Sequence, residues 1–533
     1  MKTRIPTREE ISYTHQLEAQ LDNLLKNEEI WWAQRAKANW LKQGDKNSKF
    51  FHLKASQRKR KNTINFINNH HGNKVTDNKE IQNVFMDYFT NIFTSSNPAN
   101  ISDTLAGISN RVHPTMYNYL NQDFSAAEVQ QSVFQLNSNS APGPDGLSAN
   151  FFQSYWDIIG GDITQYALNI LNNNGSPSSL NNTYICLIPK NKHPALPTDF
   201  RPIALCNVML KIITKTIANR IKHILNDIIS PQQSDFLPGR LITDNTLLAY
   251  EAIHYLKQAK NCKHGYVGIK LDMAKAYDRI EWSFLEQTLR TMGFPPNLTN
   301  TIMRCVSSVS FSILVNGQPS PSFNPHRGIR QGDPLSPYLF IICADVLYSL
   351  ITQLQLNNKI KGIAIATNAP QISHLFFADD SILFCRAKPE EAAHLMAALK
   401  EYERASDQQI NLSKSEMIFS PNLHQNIKQN FRENMPIQVS ESISKYLGMP
   451  TTMGRSKIQD FSFIMDKVWS KLKGWKEKNL SFAGRSVLIS AVIQAIPTYM
   501  MSCFLIPKGI CSQIEKAICK FWWGSKDSNH KIH

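Results

Sequence analysis

The chain has 533 residues, 42% of them hydrophobic and 10% aromatic, which is enough to fill a large core and excludes a disordered or collagen-like chain. Lysine and arginine number 58 against 42 aspartates and glutamates, a net charge of +16 that favours a polyanionic partner, nucleic acid before an acidic membrane surface. The nine cysteines are scattered, with no pair at the spacing of a zinc ribbon or redox site. Their odd number argues against a disulfide framework and for a reducing, intracellular compartment. The length allows two to four compact units.

The first residues, Met1-Lys-Thr-Arg-Ile-Pro6, lack the apolar stretch of a secretory signal. Residues 7–42 read as a helix, with Leu17, Leu21, Leu24 and Leu25 leading to Trp31 and Trp32 at helical spacing. Residues 31–62 then hold ten basic residues, among them Arg35, Lys37, Lys42, Arg58, Lys59, Arg60 and Lys61, against the single acid Asp45. Trp40, Phe50, Phe51 and His52 are interleaved with them, as bases stacked on aromatics beside phosphate-neutralising cations would require. The plainer alternative is a solvated helix face with a few core aromatics. Arg58-Lys-Arg-Lys61 also has the form of a nuclear signal, and phosphate binding explains it equally well.

Residues 93–127 are polar and broken, which suggests a linker, and 172–182 form a second Asn/Ser/Gly-rich loop. From about 130 to 420, amphipathic helices mix with short apolar strands, an α+β pattern. The run Leu335 to Leu350 reads as a buried helix. Beyond Tyr446-Leu447-Gly448 the chain turns helical, basic and Trp-bearing. Residues 486–507 are uncharged and long enough to cross a bilayer. Polar residues interrupt them, so a buried helix pair broken at Pro497 is expected instead, with no membrane span.

The sharpest local feature is Leu375-Phe-Phe-Ala-Asp379-Asp380-Ser-Ile-Leu-Phe384, two acids between apolar runs that read as strands of a hairpin. Burying adjacent carboxylates is expensive without a compensating cation, and oxygen ligands suit magnesium. An exposed Asp-Asp turn is the alternative. In Gly265-Tyr-Val-Gly-Ile-Lys-Leu-Asp272 the alternation of Val267, Ile269 and Leu271 predicts a half-buried strand with Asp272 at its carboxyl end. Ala274 onward reads as helical, and Asp278 as an exposed acid pairing with Arg279 or Lys275. Three carboxylates, one on a strand end and two on a hairpin tip, suffice for a two-metal phosphoryl-transfer site.

The order of motifs resembles the reverse transcriptase of non-LTR retroelements, the LINE type common in plant genomes. Ser140-Ala-Pro-Gly-Pro-Asp-Gly146, Leu187-Ile-Pro-Lys190, Phe200-Arg-Pro-Ile203 and Leu237-Pro-Gly-Arg240 are followed by Leu271-Asp-Met-Ala-Lys-Ala-Tyr-Asp278. Gly328-Ile-Arg-Gln-Gly-Asp-Pro334, Phe377-Ala-Asp-Asp380, Ile410-Asn-Leu-Ser-Lys414 and Tyr446-Leu-Gly-Met-Pro450 complete the series. The resemblance implies a right-hand polymerase of fingers, palm and thumb with a helical basic N-terminal arm. It divides the chain into an arm (1–92), a linker (93–127), fingers and palm (128–450), and a helical thumb with a truncated C-terminal region (451–533).

It also implies roles. Asp272, Asp379 and Asp380 match the catalytic, metal-binding aspartates, serving two magnesium ions or manganese in their place. Tyr277 matches the aromatic beneath the incoming sugar, and Lys190 and Arg201 the grip on the triphosphate. Gln331 and Gly332 match the loop beneath the nascent pair, Lys414 a general acid for pyrophosphate, and Tyr446-Leu447-Gly448 the primer grip. The expected activity is RNA-directed DNA polymerisation on an RNA template, extending a DNA primer with dNTPs. An inactive nucleic-acid-binding remnant and an RNA-directed RNA polymerase are its rivals. Family members carry an endonuclease ahead of this region, so the chain is expected to open in the connector that follows. Asp235, in Ser234-Asp-Phe236, stands where a small residue is expected and would weaken a template contact.

Overall fold

The computed structural model describes residues 7–36, 48–259, 265–421, 423–443, 445–454, 456–476 and 482–523. The chain forms two compact units, one from 1–63 with 453–533 and one from 64–452. The first is helical among its described residues, and the second combines helices with sheets, as the α+β expectation has it.

The two larger sheets of the second unit are built from β1 (Asn182–Pro189), β2 (Phe200–Cys206), β3 (Tyr266–Leu271), β4 (Ser310–Val315), β5 (Gln318–Pro319), β6 (His374–Phe377), β7 (Asp380–Arg386), β8 (Glu416–Phe419) and β9 (Gln438–Val439). The larger sheet has the order β9-β8-β3-β7-β6. Its centre is buried on both faces, which is why β7 reads as an unbroken apolar run rather than an alternation. Val267, Ile269, Leu271, Leu383 and Cys385 join one core with the helices Ser336–Leu356 and Pro389–Ser406. Ile382, Phe384 and Ile418 join another beneath the helix Ile242–Gln258. The helix Ser336–Leu356 is the buried element expected over 335–350.

The smaller sheet has the order β2-β1-β4-β5, with β1 antiparallel to β2 and parallel to β4. Phe85, Phe89 and Phe93 recur at helical spacing on the helix Asn78–Phe93 and pack on Ile185, Leu187, Phe200, Phe311 and Ile313. Asp77 caps that helix by accepting from the backbone N–H groups of Lys79 and Glu80.

Several expectations need correction. Residues 93–127 are no linker: they hold the helices Ile101–Leu105 and Pro114–Leu120, and Ile101, Leu105, Ile108, Val112 and Leu120 are buried in the main core. Arg111 in that stretch pairs with Asp345 on the helix Ser336–Leu356 and donates to Ser349 Oγ at 2.7 Å. Ser95 and Ser96 both bond Glu281, with Ser95 Oγ 2.7 Å from Oε2. Polar composition concealed a segment whose sparse large aliphatic residues are buried. The compact division accordingly falls at 63/64 rather than at 92.

The segment 482–503 is not a buried pair broken at Pro497. It runs as one helical stretch through a π-helical turn at Ile489–Ile493, and little of it is buried. It and Ser336–Leu356 are the two described helices long and apolar enough to cross a membrane. In the first unit the helix Arg8–Ala36 matches expectation, but Leu17, Leu21, Leu24 and Leu25 are exposed on it. Trp32 lies on the ring of His52, 3.5 Å away, on the facing helix Ser48–Asn62.

Candidate active site

The three aspartates of the hypothesis come together because of strand register. Ser381 on β7 pairs antiparallel with Leu271 on β3, so the next positions outward, Asp380 and Asp272, end adjacent strands side by side. Asp380 pairs with Phe377 across the hairpin, which leaves Ala378 and Asp379 as a two-residue tip. Ala378 has φ +49, a conformation disfavoured for a residue with a Cβ. Bonds from neighbouring segments hold it there. Ala378 N donates to Gln233 Oε1 at 3.0 Å, Ser234 N to Phe376 O at 3.2 Å, and Asn245 Nδ2 to the same carbonyl at 2.8 Å. Tyr446 OH donates in turn to Asn245 Oδ1 at 2.8 Å.

The carboxylates sense one another. Partial burial in the cleft and then the charge of Asp272 raise the pKa of Asp379; partial burial and then the charges of Asp379 and Asp272 raise that of Asp380. Among the described residues, no lysine or arginine forms an ion pair with any of the three. No three acidic, His or Cys side chains there are drawn into a ready-made metal cluster either. An oxygen-only set of mutually repelling carboxylates that no cation pairs with directly is nonetheless the donor chemistry that a hard divalent ion relieves. The residues fit such an ion.

Asp272 and Asp379 face a cavity of about 700 Å³ that is also lined by Lys190, Arg201, Asp235, Lys275, Tyr277, Asp278, Gln331, Gly332 and Lys414. Arg201 stands on β2, where it pairs with Ile188 of β1, and Lys190 follows the end of β1. The Lys190 ammonium donates to Thr198 O at 2.9 Å, and its pKa is lowered by partial desolvation and then by the charges of Lys414 and Arg201. Tyr277 is half-buried, its ring parallel to that of Phe340 at 4.7 Å; burial and then the charges of Asp379 and Asp235 raise the pKa of its hydroxyl. Gln331 O accepts from Ala204 N at 2.8 Å, and a Cβ on Gly332, at φ +116, would sit 3.0 Å from Ala204 O. Glycine is therefore required to seat this loop on β2. Lys414 is exposed at the rim, two residues beyond Leu412 in a loop whose Asn411 N donates to Asp272 O at 2.7 Å.

Other candidates lie elsewhere. Tyr446 does not reach the cavity. It is buried in the core beneath β6 and β7, and Leu447 and Gly448, both with positive φ, form the tight turn closed by Tyr446 and Met449. Lys445 O in that turn accepts from Lys270 Nζ of β3 at 2.9 Å. Lys59, Arg60 and Lys61 are exposed in the last turn of Ser48–Asn62, with Arg58 half-buried. Lys37 and Lys42 fall outside the described residues, as does the side chain of Arg35.

The sequence reading missed three groups. Lys275 to Asp278 form a turn, not the start of a helix: Lys275 has φ +55, Asp278 N donates to Lys275 O at 3.0 Å, and the helix begins only at Trp282. Asp278 is buried, and Gln331 Nε2 donates to its Oδ1 at 3.1 Å, while Arg279 pairs with Asp407 at 2.8 Å instead. Asp235 is a fourth carboxylate of the cavity, raised to about 6 by burial and then by Asp379 and Asp380. The reading treated it only as a departure. Its proximity to the hairpin comes from the pairing of 232–234 with Phe376, which no local pattern announces.

Burial likewise raises Asp278 to about 6. A raised carboxyl holds its proton more tightly folded than unfolded, so its contribution to stability is complete below about 3.8 and is lost as pH rises through about 6. Asp278→Asn keeps the Gln331 bond and removes that loss. It is expected to stabilise the ligand-free protein at pH 7 by roughly 1–3 kcal/mol and to flatten the pH dependence between pH 4 and 6. Thermal melts across that range check this, and an unchanged slope would contradict it.

Comparison with known proteins is consistent with this geometry. Residues 188–451 match the family described as reverse transcriptase (RNA-dependent DNA polymerase). The chain is 26% identical over 492 residues to the Transposon TX1 uncharacterized 149 kDa protein of Xenopus laevis, covering 90% of this chain and 36% of that protein. It is 29% identical over 308 residues to the Pol polyprotein of type-2 retrotransposable element R2DM of Drosophila melanogaster, covering 58% of this chain and 27% of the polyprotein. A 68-residue stretch is 50% identical to an uncharacterized mitochondrial protein of Arabidopsis thaliana, 13% of this chain and 56% of that one. The chain thus spans about a third of the length of the larger relatives it matches. Residues 188–451, which carry the three aspartates and most of the cavity lining, thus form a reverse transcriptase-like region similar to the proteins of these transposable elements.

Proposed function

We propose that this domain extends a DNA primer with dNTPs on an RNA template. The observation that carries the reading is the register that sets Asp272 beside Asp380, with Asp379 at the tip, so that Asp272 and Asp379 share a cavity with Lys190 and Arg201. Acids that can hold metal and cations that can hold phosphate share one cleft.

Asp272, Asp379 and Asp380 are the residues to hold two divalent ions, magnesium by ligand type and manganese as a substitute. Bound there, the pair lowers the pKa of an attacking hydroxyl and stabilises a departing pyrophosphate. Lys190, whose ammonium is oriented by Thr198 O, and Arg201 grip the triphosphate as a point charge and a forked guanidinium. Tyr277, fixed against Phe340, fills the space that a 2′-hydroxyl needs. The Gln331–Gly332 backbone supports the new base pair, and Lys414 at the rim donates a proton to pyrophosphate.

The primer grip falls to the backbone of the Leu447–Gly448 turn, since the Tyr446 side chain serves the core. In this reading the strands β1 and β2 belong to the fingers, the five-stranded sheet to the palm and the helices beyond 453 to the thumb. The basic residues of 31–62 neutralise template phosphates, and binding is steeply salt-dependent.

Purified full-length chain given an RNA template, a DNA primer, dNTPs and magnesium is expected to extend the primer, and Asp272→Asn is expected not to. Equal extension by both would refute the site. Extension with NTPs in place of dNTPs would reassign it as an RNA polymerase, and RNA binding without extension would mark an inactive remnant.

A further inference from the structure

We propose that Lys275 is a phosphate-binding residue of the nucleotide site, placed to take an oxygen of the incoming triphosphate between Lys190 and Lys414; this rests on the polymerase reading above. Neither strand nor helix holds Lys275. It sits at φ +55 in the turn that follows Asp272, and this turn is pinned from below. Ile329 N donates to Tyr277 O at 2.9 Å and Gly328 N to Ile280 O at 2.7 Å; a Cβ on Gly328 would lie 2.7 Å from Asp278 O. The backbone is therefore committed to a conformation that L residues disfavour, and the side chain it directs lines the cavity.

The ammonium at the end of that side chain lacks what a buried cation requires. Lys275 Nζ is buried and has no hydrogen-bond partner among the described residues. The Tyr88 ring, its centroid 5.5 Å from the nitrogen, gives it a cation–π contact that leaves its hydrogen bonds unmet. The charge of Asp278 acts on it, but the two form no ion pair, and Asp278 Oδ2 is itself buried and unpartnered.

The neighbours make the deficit larger. Desolvation, and then the charges of Lys190 and Lys414 against the pull of Asp278, lower the Lys275 pKa to about 8. Three ammonium groups and the Arg201 guanidinium thus line a cavity shared with Asp235, Asp272, Asp278 and Asp379, and the ammonium groups of Lys190, Lys275 and Lys414 repel one another. Such an arrangement is costly when empty and is relieved by a polyanion that supplies acceptors to several cations at once. Tyr277 and Asp379 line the same cavity, which favours the phosphates of a nucleotide over those of a template backbone.

The test uses the full chain in a chelating buffer, titrated calorimetrically with inorganic tripolyphosphate and, separately, with an RNA–DNA duplex. Lys275→Ala is expected to weaken tripolyphosphate binding roughly tenfold, the scale of one charge-assisted bond, with Lys275→Arg recovering most of it. Duplex binding and the exposed-lysine control Lys359→Ala should stay within twofold of wild type. In primer extension the KM for dNTP should rise about tenfold with a smaller change in kcat. Tripolyphosphate affinity unchanged in folded Lys275→Ala overturns the proposal, as does a loss confined to the duplex. If the alanine variant melts early, Lys275→Gln, which keeps the bulk, carries the same comparison. Wild-type protein that binds tripolyphosphate through Lys275 yet extends no primer would remove the polymerase reading and leave the anion site. Extension without a Lys275 effect would do the reverse.

Discussion

Asp379→Asn is expected to lower primer extension by on the order of 10³-fold, the loss associated with removing one group that stabilises charge in the transition state. In a chelating buffer the same substitution is expected to raise the melting temperature. Both follow from one observation. Asp379 stands at a hairpin tip whose carboxyl is raised by partial burial and by Asp272, and Asp379 in turn raises Asp380. Without a cation the charges repel, so removing one relieves the fold; with substrate present, the missing ligand is felt at the reacting phosphate. Adding magnesium should therefore raise the melting temperature of the wild-type protein and have a smaller effect on the variant. A variant that keeps more than a tenth of wild-type extension, or that melts lower in chelator, would show that Asp379 is a structural turn residue.

Tyr277→Ala is expected to admit ribonucleotides. The ring is held parallel to Phe340 at 4.7 Å and lines the cavity beside Asp379. A fixed plane discriminates against an added hydroxyl by steric exclusion, and removing it should raise the relative kcat/KM for NTP over dNTP on the order of a hundredfold. The loss of stacking on Phe340 will cost stability as well, of order 1 kcal/mol beyond the buried area. Selectivity should therefore be measured well below the variant's melting temperature. Tyr277→Phe separates the two effects: it keeps ring and stack, and should keep discrimination. An alanine variant that loses dNTP and NTP activity in equal proportion would assign the ring to packing alone.

The legible parts of this chain were those in which local pattern and tertiary environment agree. Val267, Ile269 and Leu271 alternate because they lie on one face of a strand, and the unbroken run after Asp380 is apolar because that strand is covered on both sides. The hairpin tip and the strand-end aspartate could be named from those patterns, since the period of two and the flanking turn residues are local properties.

The misread parts were those decided by distant partners. Residues 93–127 look like a linker until Arg111 meets Asp345 and Ser95 meets Glu281. Leu17, Leu21, Leu24 and Leu25 have the spacing of a core stripe yet are exposed, because periodicity states that a face is apolar without saying what covers it. Tyr446 was expected in the primer grip, whereas its side chain lies in the core and its hydroxyl braces Asn245, and through it Phe376 O beside the hairpin tip.

The charge excess was the first clue to function. By itself the sequence determined that the protein is basic and α+β, and that it carries aspartates in strand-end and hairpin contexts, because hydropathy period, turn composition and charge are sums over neighbours in the chain. Only the tertiary structure decided which groups share the cleft. Asp235 and Asp278, one read as a departure and the other as a surface acid, line it, as does Lys275 without a hydrogen-bond partner. The reason is physical. Burial and unmet hydrogen bonds are set by the segments that fold over a residue, here 232–234 against Phe376 and 328–331 against the turn at 275–278, and those pairings span from about fifty to more than a hundred and forty residues of sequence.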